Sequence, residues 1–151
     1  MDLNALINEQ LISLSLDAKT KDEAIKNMAD NMMKYGFVSD AGKYTDAVLA
    51  REEKGSTGVG FGIAIPHGKS EGVVKLGLGF AKLANPIDWR SLDGNPVSLF
   101  FLIAVPEENA GNEHLKILSS LSRKLIHEEF RNELQSAKTA QDIINILTAI
   151  K

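Results

Sequence analysis

Nine consecutive residues, Val97 to Val105, carry one polar side chain, Ser98. The run is too short to cross a membrane, and its composition is that of a strand buried on both faces. Such a strand needs cover above and below, so the sheet that contains it must lie between two layers of helices. The sequence on either side supplies candidates for those layers.

Ile12-Ser13-Leu14-Ser15-Leu16 alternates apolar and polar side chains and predicts a half-buried strand. A helix follows: Thr20 and Glu23 have the spacing of a capping box, Ala24, Ile25, Met28, Ala29, Met32 and Met33 form its apolar stripe, and Gly36 ends it. Ser39 or Asp40 can cap a second helix, whose inward face runs through Tyr44, Ala47 and Val48 to Arg51 before Gly55 stops it. A glycine-rich loop, Gly55 to Gly62, then leads through Ile63-Ala64-Ile65 to Pro66-His67-Gly68. Val74 to Leu83 reads as a strand with Leu76, Leu78 and Phe80 on one face, and Pro86 and Asp93-Gly94 mark turns after it. From about Asn112 to His127 a helix is expected, with Leu115, Leu118, Leu121, Ser122 and Leu125 as its core stripe. Phe130 to Leu134 suggests a helical turn, and Thr139 to Ile150 a last helix with Ile143, Ile144 and Leu147 inward. This order predicts an α/β fold over residues 1–151, a single domain with a mixed β-sheet sandwiched by helices on both faces.

With 44% apolar and 25% charged residues in 151, one core suffices. No apolar run reaches membrane-spanning length and the N-terminus lacks a signal-peptide pattern, so a cytoplasmic protein is expected. A net charge of -3 argues against nucleic acid as a partner, and the absence of cysteine excludes thiol catalysis and thiolate metal sites.

The glycine-rich segment fails both nucleotide-binding patterns. Upstream of Gly68-Lys69-Ser70 a P-loop would need glycine at position 63, which is Ile63. A dinucleotide fingerprint built on Gly58 and Gly60, or on Gly60 and Gly62, would need glycine at 63 or 65. What remains is a loop permissive of positive φ and close backbone approach, ending in a histidine framed by proline and glycine. A neutral imidazole is a competent nucleophile near pH 7 and its phosphorylated form passes the group on, although by spacing alone Ile-Pro-His-Gly reads more readily as an ordinary strand end with a surface histidine. His114 falls in the first turn of the later helix, facing the sheet, where unpaired N–H groups keep it neutral and able to donate to phosphate. Arg51 is either a planar cation for phosphate oxygens or a cation placed for the helix dipole. His127 lies thirteen residues beyond His114, about 220° around a helix, so the two cannot share a face and no metal site is expected. Ser56 and Thr57 could bond phosphate, but shaping the loop is the simpler role.

Arg51-Glu52-Glu53-Lys54-Gly55-Ser56-Thr57-Gly58 and Gly62-Ile63-Ala64-Ile65-Pro66-His67-Gly68 resemble the fructose/mannitol-type IIA domains of the bacterial phosphoenolpyruvate:sugar phosphotransferase system. The resemblance extends through Ile87-Asp88-Trp89, Ser91-Leu92-Asp93-Gly94, Ala104-Val105-Pro106 and Asn112-Glu113-His114-Leu115. Asp88-Trp89 followed by Leu92-Asp93-Gly94, and Phe61 before Gly62, are closer to the fructose type than to the nitrogen-regulatory branch. It implies a phosphotransferase component in which His67, commonly on Nε2, takes a phosphoryl group from the carrier HPr. The group then passes to a IIB domain, usually on cysteine, for sugar phosphorylation coupled to uptake through membrane IIC. Arg51 and His114 match the family's phosphate-stabilising residues, no cofactor is implied, and the chain resembles a free-standing IIA subunit. A regulatory IIA-like protein signalling through His67 is the alternative. An apolar rim for docking both partners, including Phe61 and Ile65, is expected around His67.

Overall fold

The computed structural model describes residues 6–108 and 113–149. Helix α1, Lys21–Lys34, starts at Thr20, whose hydroxyl accepts the Glu23 N–H at 3.1 Å. The Glu23 carboxylate accepts from the Lys19 N–H instead of returning to Thr20, so only half of a capping box forms. The helix ends with Gly36 at φ +84°, and Gly36 and Phe37 donate back to the carbonyls of Met33 and Met32 in a Schellman arrangement. Met32 is buried, whereas Met33, a further 100° around the helix, is exposed and leaves the expected stripe. Asp40, not Ser39, caps α2, Ala41–Glu53, by accepting the Lys43 N–H at 3.0 Å.

The strands are β1 Ile12–Leu16, β2 Gly58–Gly60, β3 Ile63–Ala64, β4 His67–Ser70, β5 Gly77–Ile87 and β6 Val97–Pro106. They form one mixed sheet in the order β1-β5-β6-β3-β2, with β4 also paired to β6. β5 runs antiparallel to β6, whereas β1 lies parallel to β5, and β3 and β4 lie parallel to β6. The expected strand at Val74 begins later: Val73 pairs only with Val38, and Val74 donates to the Phe37 carbonyl. Pro86 falls within β5, at a register shift against β6, because a proline is tolerated where the ladder is already interrupted. Asp93-Gly94 does make a turn, with Gly94 at φ +76° donating to the Ser91 carbonyl.

Side chains alternate across β6. Phe100, Leu102 and Ala104 pack under α1 and α2, while Leu99, Phe101, Ile103 and Val105 pack against α3 Glu113–Leu125, α4 Glu128–Ser136 and α5 Ala140–Thr148. The sandwich anticipated from the buried run is the observed architecture. In α3 the inward face is Ile117, Leu121 and Leu125; Leu115 and Ser122 are exposed. α4 is a full helix where only a turn was expected, and Ile144 of α5 is half-buried while Ile143 and Leu147 are buried. Asn112 and Ile150, placed in helices by the sequence, lie outside the described residues. Among the described residues, no helix is long and apolar enough to cross a membrane.

Candidate functional site

The glycine-rich segment is not a loop throughout: β2 and β3 make a short antiparallel hairpin whose tip carries Phe61 at φ +60° and Gly62 at φ +77°. Gly58 serves close approach, since a Cβ there would lie 2.2 Å from the Ser91 hydroxyl. After the hairpin the chain keeps to one side of β6, with β3 opposite Leu99 and Phe100 and β4 opposite Ile103 to Pro106. Ile65 and Pro66 bridge the two stretches. Ile65 N–H donates to the Thr57 carbonyl at 3.0 Å, and the Pro66 carbonyl accepts the Ile103 N–H at 3.1 Å. His67 is therefore the first residue of a strand anchored directly behind it.

In register with Ile103, the half-buried His67 ring faces the α3 side of the sheet. Its Nδ1 lies 3.0 Å from the Ile65 carbonyl oxygen. A carbonyl only accepts, so this contact puts the proton on Nδ1 and leaves a free lone pair on Nε2. His114, in the first turn of α3, is half-buried, and its Nδ1 is buried without a hydrogen-bond partner among the described residues. Burial first, then the positive charge of Lys69 and repulsion from any protonated His67, hold the His114 pKa below the ordinary 6.5. The second helix residue of α3 is thus a neutral imidazole that shares the electrostatic neighbourhood of His67.

Arg51 arrives from the opposite layer. A Cβ on Gly72 would meet the Asp40 carbonyl oxygen at 2.6 Å, and one on Gly68 would meet the Val48 nitrogen at 3.0 Å, so α2 runs antiparallel to β4 in close contact. Over that interval the helix advances roughly 12 Å and the strand roughly 13 Å. One further turn brings Arg51 level with Pro66 and His67. Its guanidinium donates to the Gly55 carbonyl at 2.8 Å just past the end of α2, which is the favourable place for a cation at a helix C-terminus.

Two neighbours, Lys69 and Glu52, were not singled out by sequence. Lys69 lies two residues beyond His67 on the same strand face, a period-two signal that a strand assignment at His67 would have exposed. Glu52 is buried and its carboxylate accepts from the N–H and hydroxyl of Thr57. Ser56 donates to the Trp89 carbonyl at 2.6 Å, so both hydroxyls shape the loop. The expected rim is corrected: Ile65 is buried in the core, and Phe61, exposed beneath the Arg131 guanidinium, lies at the hairpin tip beyond Ile63, which itself pairs with Leu99, so it is more than roughly 13 Å along the sheet from His67. Leu115, next to His114, is an exposed apolar side chain. His127 is an exposed N-cap of α4, away from this cluster.

The depressed pKa of His114 has a stability consequence. Below about 6.5 the unfolded chain takes up a proton that the folded protein resists, so this contribution is complete above that pH and is lost as pH falls through the depressed value. Urea unfolding at pH 7.5 and 5.5 should show a larger loss of stability for the native sequence than for His114→Gln. Equal losses would assign the acid sensitivity to other groups.

Comparison with known proteins places this geometry. The family described as "Phosphoenolpyruvate-dependent sugar phosphotransferase system, EIIA 2" matches residues 5–150. The chain is 40% identical over 149 residues to the "PTS system fructose-specific EIIA component" of Haloferax volcanii, covering 99% of this chain and 96% of that protein. The nitrogen regulatory protein IIA-Ntr of Neisseria meningitidis superposes with a TM-score of 0.88 at 32% identity, covering 97% of this chain and 99% of that one. Enzyme IIA mannitol of Escherichia coli, solved in complex with phosphorylated enzyme IIB mannitol, gives a TM-score of 0.79 at 25% identity, over 95% of this chain and 97% of that one. The match over nearly the whole length, together with the fold, shows that this chain belongs to the EIIA type 2 family of the phosphoenolpyruvate-dependent sugar phosphotransferase system.

Proposed function

We propose that His67 Nε2 accepts a phosphoryl group from the phosphohistidine of HPr and donates it to a IIB domain, within a single EIIA domain spanning residues 1–151. The observation that carries this reading is the Nδ1 contact to the Ile65 carbonyl, which turns the unprotonated Nε2 outward from the strand's anchor. In the transfer the Nε2 lone pair forms the new N–P bond while the donor nitrogen leaves with the electrons of the old one. Each donor leaves as a neutral imidazole, so the step depends on positioning and charge stabilisation more than on proton transfer. His114 donates to phosphate oxygens through its N–H, and Arg51 supplies cationic donors to them. Lys69 adds a second positive charge on the His67 face. Leu115 belongs to the apolar rim on which the partners dock.

The fructose-specific relative at 40% identity supports sugar uptake of the fructose type and a cytoplasmic location beside a membrane IIC. The likeness to a nitrogen regulatory protein supports a second reading, in which phosphorylated His67 is a signal read by a protein target. Incubation with phosphoenolpyruvate, enzyme I and HPr should add one phosphoryl group by intact mass, and a fructose-type IIB should then remove it. Charging without discharge to any sugar-class IIB favours the regulatory reading; failure to charge removes both.

A further inference from the structure

A carboxylate buried without need is costly, and one that persists is held by several donors. The Glu52 side chain is 1% exposed. Its Oε1 accepts the Thr57 N–H at 3.2 Å and has the Lys21 ammonium at 3.9 Å, while its Oε2 accepts the Thr57 hydroxyl. Thr57 is thereby fixed at its backbone nitrogen and its side chain together, between the end of α2 and the start of β2.

The third polar group of Thr57 points onward. Its carbonyl accepts the Ile65 N–H at 3.0 Å, and the Ile65 carbonyl in turn faces His67 Nδ1 at 3.0 Å. Between them Pro66 offers no N–H and a restricted φ, so the Ile65 peptide has few ways to reorient without losing one of these bonds. The β2–β3 pairing also ends here, with Gly58 opposite Ala64, so Thr57 is the last residue of that side to hold the chain before His67. We propose that Glu52 and Thr57 are positioning residues for His67, fixing the tautomer and direction of its ring through the hydrogen-bonded relay Glu52, Thr57, Ile65, His67. The inference rests on His67 as the phosphoryl acceptor, and it adds what keeps the accepting nitrogen unprotonated and aimed.

A role confined to stability would leave the ring nitrogens alone, so the ring is the readout. In 15N-labelled full-length protein at pH 7.5, the native sequence and Thr57→Ser should show one His67 tautomer, with Nδ1 protonated and Nε2 bare. Thr57→Val keeps the side-chain shape but removes the donor to Glu52, and Glu52→Ala removes the anchor itself. Both should give a mixed tautomer and a transfer rate from phospho-HPr lowered about tenfold at saturating HPr with KM unchanged. Thr57→Val carries the test if Glu52→Ala does not fold. A native tautomer and rate in Thr57→Val would overturn the relay, as would a change in KM alone. If the native protein is not phosphorylated, the acceptor assignment fails, and the tautomer comparison still decides whether the relay positions the ring.

Discussion

His67→Ala should abolish the gain of one phosphoryl group while leaving the protein folded. The ring is half-buried at the first position of β4, and its loss frees one hydrogen bond to the Ile65 carbonyl, a cost of about 1 kcal/mol. Most of the sheet is untouched, because β4 remains paired to β6 through its backbone. The chemical loss is complete in comparison: the sequence contains no cysteine to take over, and His114, in α3 on the same side of the sheet, holds its Nδ1 buried. Intact mass after incubation with phosphoenolpyruvate, enzyme I and HPr reads the outcome, with thermal unfolding as the control. A phosphorylated His67→Ala protein would move the acceptor elsewhere, and peptide mapping at neutral pH would then be directed first at His114.

Gly68→Ala should combine a loss of stability with a loss of transfer. The new Cβ would lie 2.7 Å from Val48 Cγ2 and 3.0 Å from the Val48 nitrogen, so both a side chain and the backbone of α2 must retreat. Overpacking of this kind costs about 1–3 kcal/mol, and the retreat lifts the helix turn that brings Arg51 level with His67. Adding Val48→Ala removes the side-chain collision but not the backbone one, so the double variant should recover part of the stability and little of the transfer rate. Full recovery of both would mean that the spacing between α2 and β4 does not set the site. Denaturant unfolding and phosphotransfer kinetics on the two variants make the comparison.

The strand at the middle of the sheet was legible because both of its faces are buried, which leaves no polar alternation to confuse with anything else. His67 was legible for a local reason, its frame of Pro66 and Gly68 after a glycine-rich stretch. The β2–β3 hairpin was not, since strands made of Gly58-Val59-Gly60 and Ile63-Ala64 offer no side-chain period to read. In α3 the leucines at 115, 118, 121 and 125 suggest one stripe, but the packed face is centred on Ile117, which draws Leu115 and Ser122 out to solvent. Glu52 escaped notice because a carboxylate is ordinarily a surface residue, and the groups that justify its burial come from Thr57 and from Lys21 in another helix. Arg51 was expected on the inward register of α2, but the buried residue at that turn is Glu52 and Arg51 is half-buried beside it; its level with His67 depends on Gly68 and Gly72, whose role as contact points appears only in three dimensions.

The parallel pairing of β4 with β6 also orders events at the ribosome. His67 precedes the end of its partner strand, Pro106, by 39 residues, the difference of their positions. At about 5–20 residues per second, translation takes roughly 2–8 s to deliver that partner. During this interval the residues of β4 have no ladder to join, and α1 and α2 have emerged before the strand that supplies Phe100, Leu102 and Ala104 to their core. The proposed phosphoryl acceptor is thus among the earlier residues made and waits for a much later strand to fix it in place. A nascent chain stalled before Val97 should remain unable to accept phosphate, so the carrier acquires its activity only as its last third is synthesised.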